Sequence, residues 1–285
     1  MKPPQFDYAA PRSLHEAIGL LAGDAEAKIL AGGQSLVPLL SMRLTFPDLL
    51  VDLRRIKGLG GITDSGTHLA IGAMVRQRQA ETSKTVQSRC PLIAKALHHV
   101  AHPQIRTRGT IGGSVAHADP AAELPAVAVA LDARVRALGP GGERVVPAAQ
   151  LYRGMLTTSL AEGELVTAIE FPLAPDDSGS ACVEVARRNG DYAMCGAVAQ
   201  VTVADGVVAE ARLAYFGVAD RPMRASATEA SVQGKLIADA PDAAAASAAE
   251  GIEFTGETHV PADYRRHLVS VVARRAIQRS LEATR

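Results

Sequence analysis

Two short glycine-bearing segments carry the residue types that could bind a phosphorylated ligand. Ala31–Ser35 has the sequence AGGQS, and Thr110–Ser114 has the sequence TIGGS. Adjacent glycines let a backbone approach a ligand closely, and successive free N–H groups in such a turn form a cradle for an anion. Both segments also place hydroxyl or amide side chains beside the glycines. The pattern indicates phosphate binding mainly by the main chain.

Each segment has a simpler explanation when it is taken alone. A tight turn that closes an α/β unit accounts for the first one, and the local pattern favours that interpretation. Neither segment contains Lys, which excludes a Walker loop, and neither matches the G-x-G-x-x-G dinucleotide fingerprint. Together they favour one shared diphosphate, because about four or five hydrogen bonds to a charged group could offset the entropy lost by a large cofactor.

Two further segments carry polar or aromatic groups in informative places. Asp119 and Glu123 are carboxylates in the otherwise apolar stretch AHADPAAELP, and a carboxylate can accept hydrogen bonds from ribose hydroxyls. For Asp119 a helix cap before Pro120 is the simpler interpretation. Tyr192 follows a turn at 189–191, where a ring can stack on a flat heterocycle. An ordinary turn tyrosine explains it as well.

Composition excludes several functional classes. Thirty basic and thirty acidic residues cancel, so the basic footprint of nucleic-acid binding is missing. Three scattered cysteines cannot hold an iron–sulfur cluster that needs four thiolates. His98, His99 and His102 have no acidic or cysteine partner at ligand spacing, and metal binding there is not favoured. No signal peptide and no membrane-spanning run is evident, which predicts a cytoplasmic chain.

The coarse element pattern predicts an α+β protein. Strand, helix and strand at the N-terminus suggest a small α/β lobe, and a loop is expected over 102–113. The best linker is 174–180, followed by strands at 181–187, 195–203 and 207–216. An Ala-rich stretch over 223–250 predicts helix with a break near Pro241, and a final helix spans 261–281. We therefore divide the chain into 1–177, with two lobes meeting near 55–60, and 178–285.

Three segments in order resemble the FAD-binding medium subunit of the carbon monoxide dehydrogenase and xanthine dehydrogenase family. They are AGGQSLVPLLSMRL, HPQIRTRGTIGGSVAHADPAAELP and RRNGDYAMCGAVAQV. The resemblance covers essentially the whole chain. It implies a two-lobed FAD-binding domain of the vanillyl-alcohol-oxidase type, followed by a smaller C-terminal domain of antiparallel sheet and helices.

The resemblance also assigns residues to non-covalent FAD. By similarity, the two glycine segments would hold the diphosphate, the 117–123 stretch would follow the ribose and adenosine, and Leu165 and Tyr192 would lie near the isoalloxazine. The implied cofactor-binding residues are Ala31, Gly32, Gly33, Gln34, Ser35, Leu36, Thr110, Ile111, Gly112, Gly113, Ser114, His117, Asp119, Glu123, Leu165 and Tyr192. Some relatives carry Lys where Met194 stands, so nicotinamide handling is not transferred.

The family implies an electron-transfer role with no catalytic residue on this chain. A large molybdopterin subunit would hydroxylate the substrate, and a small subunit with 2Fe-2S clusters would carry electrons to FAD. An external acceptor would then take them from FAD, in a dimer of heterotrimers. The loop HPQIRTRG is the candidate partner-facing edge. A stand-alone flavin oxidase on the same fold, or a scaffold that has lost its cofactor, are the alternatives.

Overall fold

The architecture is that of a computed structural model, which describes residues 2–24, 26–254 and 260–284. The N-terminal layer is a three-stranded parallel sheet in the order β1-β3-β2. Its elements are β1 (Asp7–Ala9), α1 (Leu14–Ala22), β2 (Lys28–Leu30), α2 (Leu36–Ser41) and β3 (Leu49–Asp52). Ser13 caps α1 by accepting a hydrogen bond from the Glu16 N–H, as its position in the sequence predicts.

The middle of the chain forms a five-stranded antiparallel sheet in the order β4-β5-β10-β6-β7. Its strands and the short hairpin beside it are β4 (Ile62–Asp64), β5 (His68–Gly72), β6 (Arg134–Gly139), β7 (Gly142–Pro147), β8 (Tyr152–Gly154), β9 (Thr157–Thr158) and β10 (Leu165–Pro172). The helices between these strands are α3 (Gln77–Thr82), α4 (Lys84–Arg89), α5 (Pro91–His99), α6 (Pro103–Arg106), α7 (Ile111–His117), α8 (Glu123–Ala130) and α9 (Ala148–Leu151).

The C-terminal part is a four-stranded antiparallel sheet covered by helices. Its strands, in sheet order, are β11 (Ser178–Val185), β12 (Cys195–Ala204), β13 (Val207–Phe216) and β14 (Met223–Arg224). Its helices are α10 (Ser226–Val232), α11 (Ala240–Ser247) and α12 (Ala262–Glu282). Asp205 and Gly206 form the β12–β13 turn with φ of 51° and 76°, the conformation that a two-residue hairpin requires. The α+β fold class is confirmed.

Helix α8 joins the middle and C-terminal parts through one hydrophobic core. Every residue from Leu124 to Ala130 is buried, because the helix contacts α5 and α7 and also lies on β12 and β13. A helix that is apolar on all sides is expected at such a central position. The first residue of this central helix, Glu123, therefore has a fixed place.

Several sequence expectations need correction. The expected break near Pro241 is present, because α10 ends at Val232 and α11 begins at Ala240 with Pro241 in its first turn, but the stretch opens with strand β14 and not with helix. The 102–113 stretch is not a plain loop, since α6 and the start of α7 lie within it. Strand β11 begins at Ser178, inside the expected linker.

Candidate functional site

A cavity of about 620 Å³ lies where the N-terminal sheet, the helices α3, α6 and α7, and the turn after β11 come together. Binding pockets for small molecules and cofactors are typically of this size. The segments that form its wall are 27–36, 73–77, 100–105, 109–123, 160–166 and 190–192, each contributing several or all of its residues. Fifteen of the sixteen expected cofactor-binding residues line it, the exception being Ile111.

The two glycine segments meet in this wall. A Cβ placed on Gly32 would lie 2.6 Å from the carbonyl oxygen of Arg108, and one on Gly113 would lie 3.5 Å from the Cβ of Ala31. Gly32 therefore lies against the 108–109 backbone that leads into the second segment, and Ala31 lies beside Gly113, although the two segments are distant in the chain. Gly32 has no room for a side chain at this crossing, which is a direct reason for its identity.

The first segment leaves its amides free. Gly33 turns the chain with φ of 75° and its carbonyl accepts from the Val37 N–H at 3.1 Å. No acceptor from the described part of the chain pairs with the N–H groups of residues 33–36. The side chain of Gln34 is used locally, because its Nε2 donates to the Gly32 carbonyl at 3.1 Å. This segment presents an anion cradle of main-chain donors to the cavity.

The second segment differs from the expected amide cradle. Its N–H groups are already paired: Gly112 donates to the Ala73 carbonyl at 2.9 Å, and Gly113 donates to Oγ1 of Thr110 at 3.0 Å. Gly112 serves close packing, since a Cβ there would lie 2.4 Å from that of Ala73. Ile111 donates its N–H to the Val75 carbonyl and buries its side chain in the core. Sequence could not show this, because the Ala73 and Val75 carbonyls belong to the turn that follows strand β5.

The segment after α7 places three titratable groups along the cavity. Burial lowers the pKa of His117, against the opposing effect of Asp119. Asp119 accepts from the Ala121 N–H at 2.9 Å, so it caps a turn, and the helix begins only at Glu123. Burial raises the pKa of Glu123 to about 8, and nearby Glu184 and Asp119 add to that effect. Glu123 is thus largely protonated at neutral pH.

Leu165 and Tyr192 line the same cavity but differ in solvent exposure. Leu165 is fully buried at the start of β10, whereas the Tyr192 side chain is 73% exposed. An exposed ring on a turn that lines a cavity is available to cover a flat ligand.

Sequence reasoning missed several lining residues. Lys28 is the one Lys or Arg among the described cavity-lining residues. Gln77 is buried, and its Oε1 has no hydrogen-bond donor in the described part of the chain. Neither stands in a recognisable motif.

The donor set fits a dinucleotide better than a metal. Within residues 2–24, 26–254 and 260–284, no group of three His, Cys, Asp or Glu side chains could hold a metal ion. The free amides of 33–36, the hydroxyl of Ser114 and the carboxyl of Glu123 suit a diphosphate and ribose hydroxyls.

Within the same described ranges, no helix is long and apolar enough to cross a membrane.

Comparison with known proteins agrees with this chemistry. Residues 4–174 match the model of the FAD-binding domain in molybdopterin dehydrogenase, and residues 180–280 match that of the CO dehydrogenase flavoprotein C-terminal domain. The chain therefore belongs to the FAD-binding subunits of the molybdenum hydroxylase family that includes carbon monoxide and xanthine dehydrogenases. It carries an FAD-binding domain and is an oxidoreductase subunit.

Relatives and solved structures match along the full length. The chain is 42% identical to 6-hydroxypseudooxynicotine dehydrogenase complex subunit alpha of Paenarthrobacter nicotinovorans, covering 100% of this chain and 97% of that protein. It is 36% identical to the carbon monoxide dehydrogenase medium chain of Hydrogenophaga pseudoflava, covering 97% of each. A carbon monoxide dehydrogenase structure from the latter organism superimposes with a TM-score of 0.97 at 37% identity, covering 100% of both chains.

Proposed function

We propose that this chain is the electron-transfer subunit of a molybdenum-containing hydroxylase or dehydrogenase. It receives electrons from 2Fe-2S clusters on a small partner subunit and passes them to an external acceptor. A large molybdopterin subunit oxidises the substrate, and the complex is a dimer of heterotrimers. The observation that carries the proposal is the meeting of both glycine segments, Glu123 and Tyr192 around one cavity.

The residues would divide the binding of FAD among them. The free N–H groups of 33–36 would donate to the diphosphate, and the half-buried hydroxyl of Ser114 would add one donor. Glu123 would take hydrogen bonds from ribose hydroxyls. Hydrogen bonds to a charged group contribute about 1.5–3 kcal/mol each. The FAD ring supplies the electron-transfer chemistry when it is bound.

The opposite end of the cavity would hold the ring system. Leu165 and Val166 supply a buried apolar wall, and the exposed Tyr192 lines the same cavity. An apolar wall excludes water from one face of a flat ring, while the tyrosine covers the other. The partner-facing edge is proposed to be the exposed part of 102–108.

The proposal is tested on the complex expressed together with its two partner chains. Gly32→Ala places a Cβ against the Arg108 carbonyl, whereas Gly60→Ala meets nothing within 4 Å and serves as the control. We expect Gly32→Ala to lose acid-releasable FAD and substrate-driven dye reduction, while the iron–sulfur absorbance stays. Full FAD content and normal dye reduction in Gly32→Ala would refute the placement. A complex whose wild-type form contains no flavin would refute the function.

A further inference from the structure

The position of Tyr192 is set by backbone packing and not by contacts of its own side chain. Its side chain is 73% exposed, and its hydroxyl has no hydrogen bond to any described residue. It nevertheless stands in the cavity wall beside Gly190 and Asp191. Something other than the ring must therefore keep this turn in place.

One side of the turn packs against the backbone of Ala101 and the ring of His102. Gly190 has φ of 88°, and a Cβ there would lie 2.5 Å from Cε1 of His102 and 3.1 Å from the Ala101 carbonyl. Ala101 itself has φ of 41°, an uncommon conformation for a residue with a Cβ. The two segments thus press together at a point where only glycine fits.

The inner side rests on a residue from the end of β13. Gly217 has φ of 70°, and a Cβ there would lie 2.8 Å from the carbonyl oxygen of Ala193, next to Tyr192. The N–H of Gly217 donates to the Pro120 carbonyl at 2.8 Å. One residue therefore contacts both the base of the tyrosine turn and the segment between Asp119 and Glu123.

Gly217 is itself held firmly. The Phe216 ring before it is fully buried and lies against Gly196, where a Cβ would be 2.1 Å from the ring Cζ. Val218 after it is fully buried in the C-terminal core. The position of Gly217 is consequently fixed by the C-terminal sheet, which contributes only the tyrosine turn to the cavity wall.

We propose that Gly190 and Gly217 are positioning residues that fix Tyr192 over the cofactor ring, and that Gly217 also sets its spacing from the Asp119–Glu123 segment. This inference rests on the proposed function, since it takes Tyr192 to cover the ring of bound FAD. The C-terminal sheet thereby aligns the two ends of the cofactor site through a single glycine.

The test uses the assembled holoenzyme and reads the flavin itself. Gly217→Ala is compared with Gly206→Ala, which has a similar positive φ in the same sheet but nothing within 4 Å. Val218→Ala controls for lost stability, because it empties core space without touching the cavity. We expect Gly217→Ala to shift the visible flavin circular dichroism and the flavin midpoint potential, and both controls to match the wild type.

A second pair of variants covers the case in which Gly217→Ala does not fold. Gly190→Ala should shift the same flavin signals, and adding His102→Ala should restore them in part, because it removes the nearest obstructing atoms. Flavin signals unchanged in Gly190→Ala, or no recovery in the double variant, would overturn the inference.

Tyr192→Ala separates the placement of Tyr192 over the flavin from the positioning role of Gly217. If it shifts the flavin signals and Gly217→Ala does not, the placement of Tyr192 stands and the positioning role is wrong. If Tyr192→Ala leaves the signals unchanged, the placement under the proposed function is wrong, and the positioning role falls with it. Signals shifted equally by Gly217→Ala and Val218→Ala would show a loss of stability only.

Discussion

Glu123 is a single residue whose ionisation links the stability of the fold to pH. Its folded pKa of about 8, raised mainly by burial, exceeds the value of an ordinary glutamate. A raised acid pKa means that the folded state holds the proton more tightly than the unfolded chain does. The resulting stability is fully present below the unfolded pKa and is lost as pH rises through the folded one.

We expect the FAD-depleted wild type to lose stability as the pH rises from about 5 to about 8. Glu123→Gln, which has no carboxyl group at this position, should not show this loss. The difference should be on the order of 1–3 kcal/mol, because part of the shift is relieved by water in the open cavity. Urea unfolding at the two pH values measures it. Glu162→Gln, at the exposed cavity rim, should show no such change, and a pH-independent difference for Glu123→Gln would contradict the explanation.

Thr110 stabilises the second glycine segment through one hydroxyl. Its Oγ1 accepts from the Gly113 N–H at 3.0 Å and so caps α7. Thr110→Ala should lower the free energy of unfolding by about 1 kcal/mol and weaken FAD binding, since the helix start loses its cap. Thr110→Ser retains the hydroxyl and should stay near wild type. Thermal unfolding and FAD titration measure the two effects, and equal behaviour of both variants would argue against the cap.

At the scale of elements, α3 and α6 are joined by a buried ion pair. Nε of Arg106 lies 3.0 Å from Oε2 of Glu81, and its Nη1 donates to the Val100 carbonyl at 2.7 Å. Both side chains are nearly inaccessible to solvent. This pair fixes the 100–109 segment, whose end crosses Gly32.

Arg106→Ala should therefore destabilise the protein by about 2–4 kcal/mol, because the nearly buried Glu81 carboxylate loses its buried partner and keeps the half-exposed Arg78. Arg106→Lys keeps the charge but loses the planar fork, so an intermediate loss is expected. The urea midpoint at constant m-value reports the change. A loss below about 1 kcal/mol for the alanine variant would mean that water replaces the arginine.

Elements were predictable where the signal was local. The β12–β13 hairpin follows from Asp205–Gly206 between two apolar runs, and α1 follows from its periodicity and its Ser13 cap. The start of α7 was missed, because Gly112 and Gly113 are poor helix formers. That helix forms through the Thr110 cap and through packing on Ala73, and the second is a tertiary contact.

At the scale of the whole molecule, Arg224 connects the C-terminal sheet to the end of α8. Its guanidinium pairs with Glu229, donates to Oδ1 of Asp132 at 2.9 Å and to the Val129 carbonyl at 3.1 Å. These bonds join the parts of the chain that match the two family models.

Arg224→Met should increase hydrogen exchange at the end of α8 and in β14, and should cost about 1–2 kcal/mol of stability through the lost hydrogen bonds. Arg221→Met is the matched control, because it makes the same change at a nearby arginine whose pair with Asp220 is exposed. Equal exchange rates in both variants would show that α8 and β14 stay joined without Arg224.

The amino-acid sequence alone determined the α+β class, the two glycine segments and, through the resemblance, the family and its cofactor. These depend on residue types and short spacings, which a chain carries before it folds. The assignment of individual cofactor-binding residues stays a prediction, and so does the boundary at 177–178.

Only the tertiary structure decided how the two glycine segments differ. They look alike in sequence, yet the first keeps its amides free while the second uses them on the turn after strand β5 and on Thr110. The same holds for Glu123, whose raised pKa comes from burial by distant segments. Hydrogen-bond pairing and desolvation depend on which groups meet in space, and that is fixed only when the sheets and helices pack together.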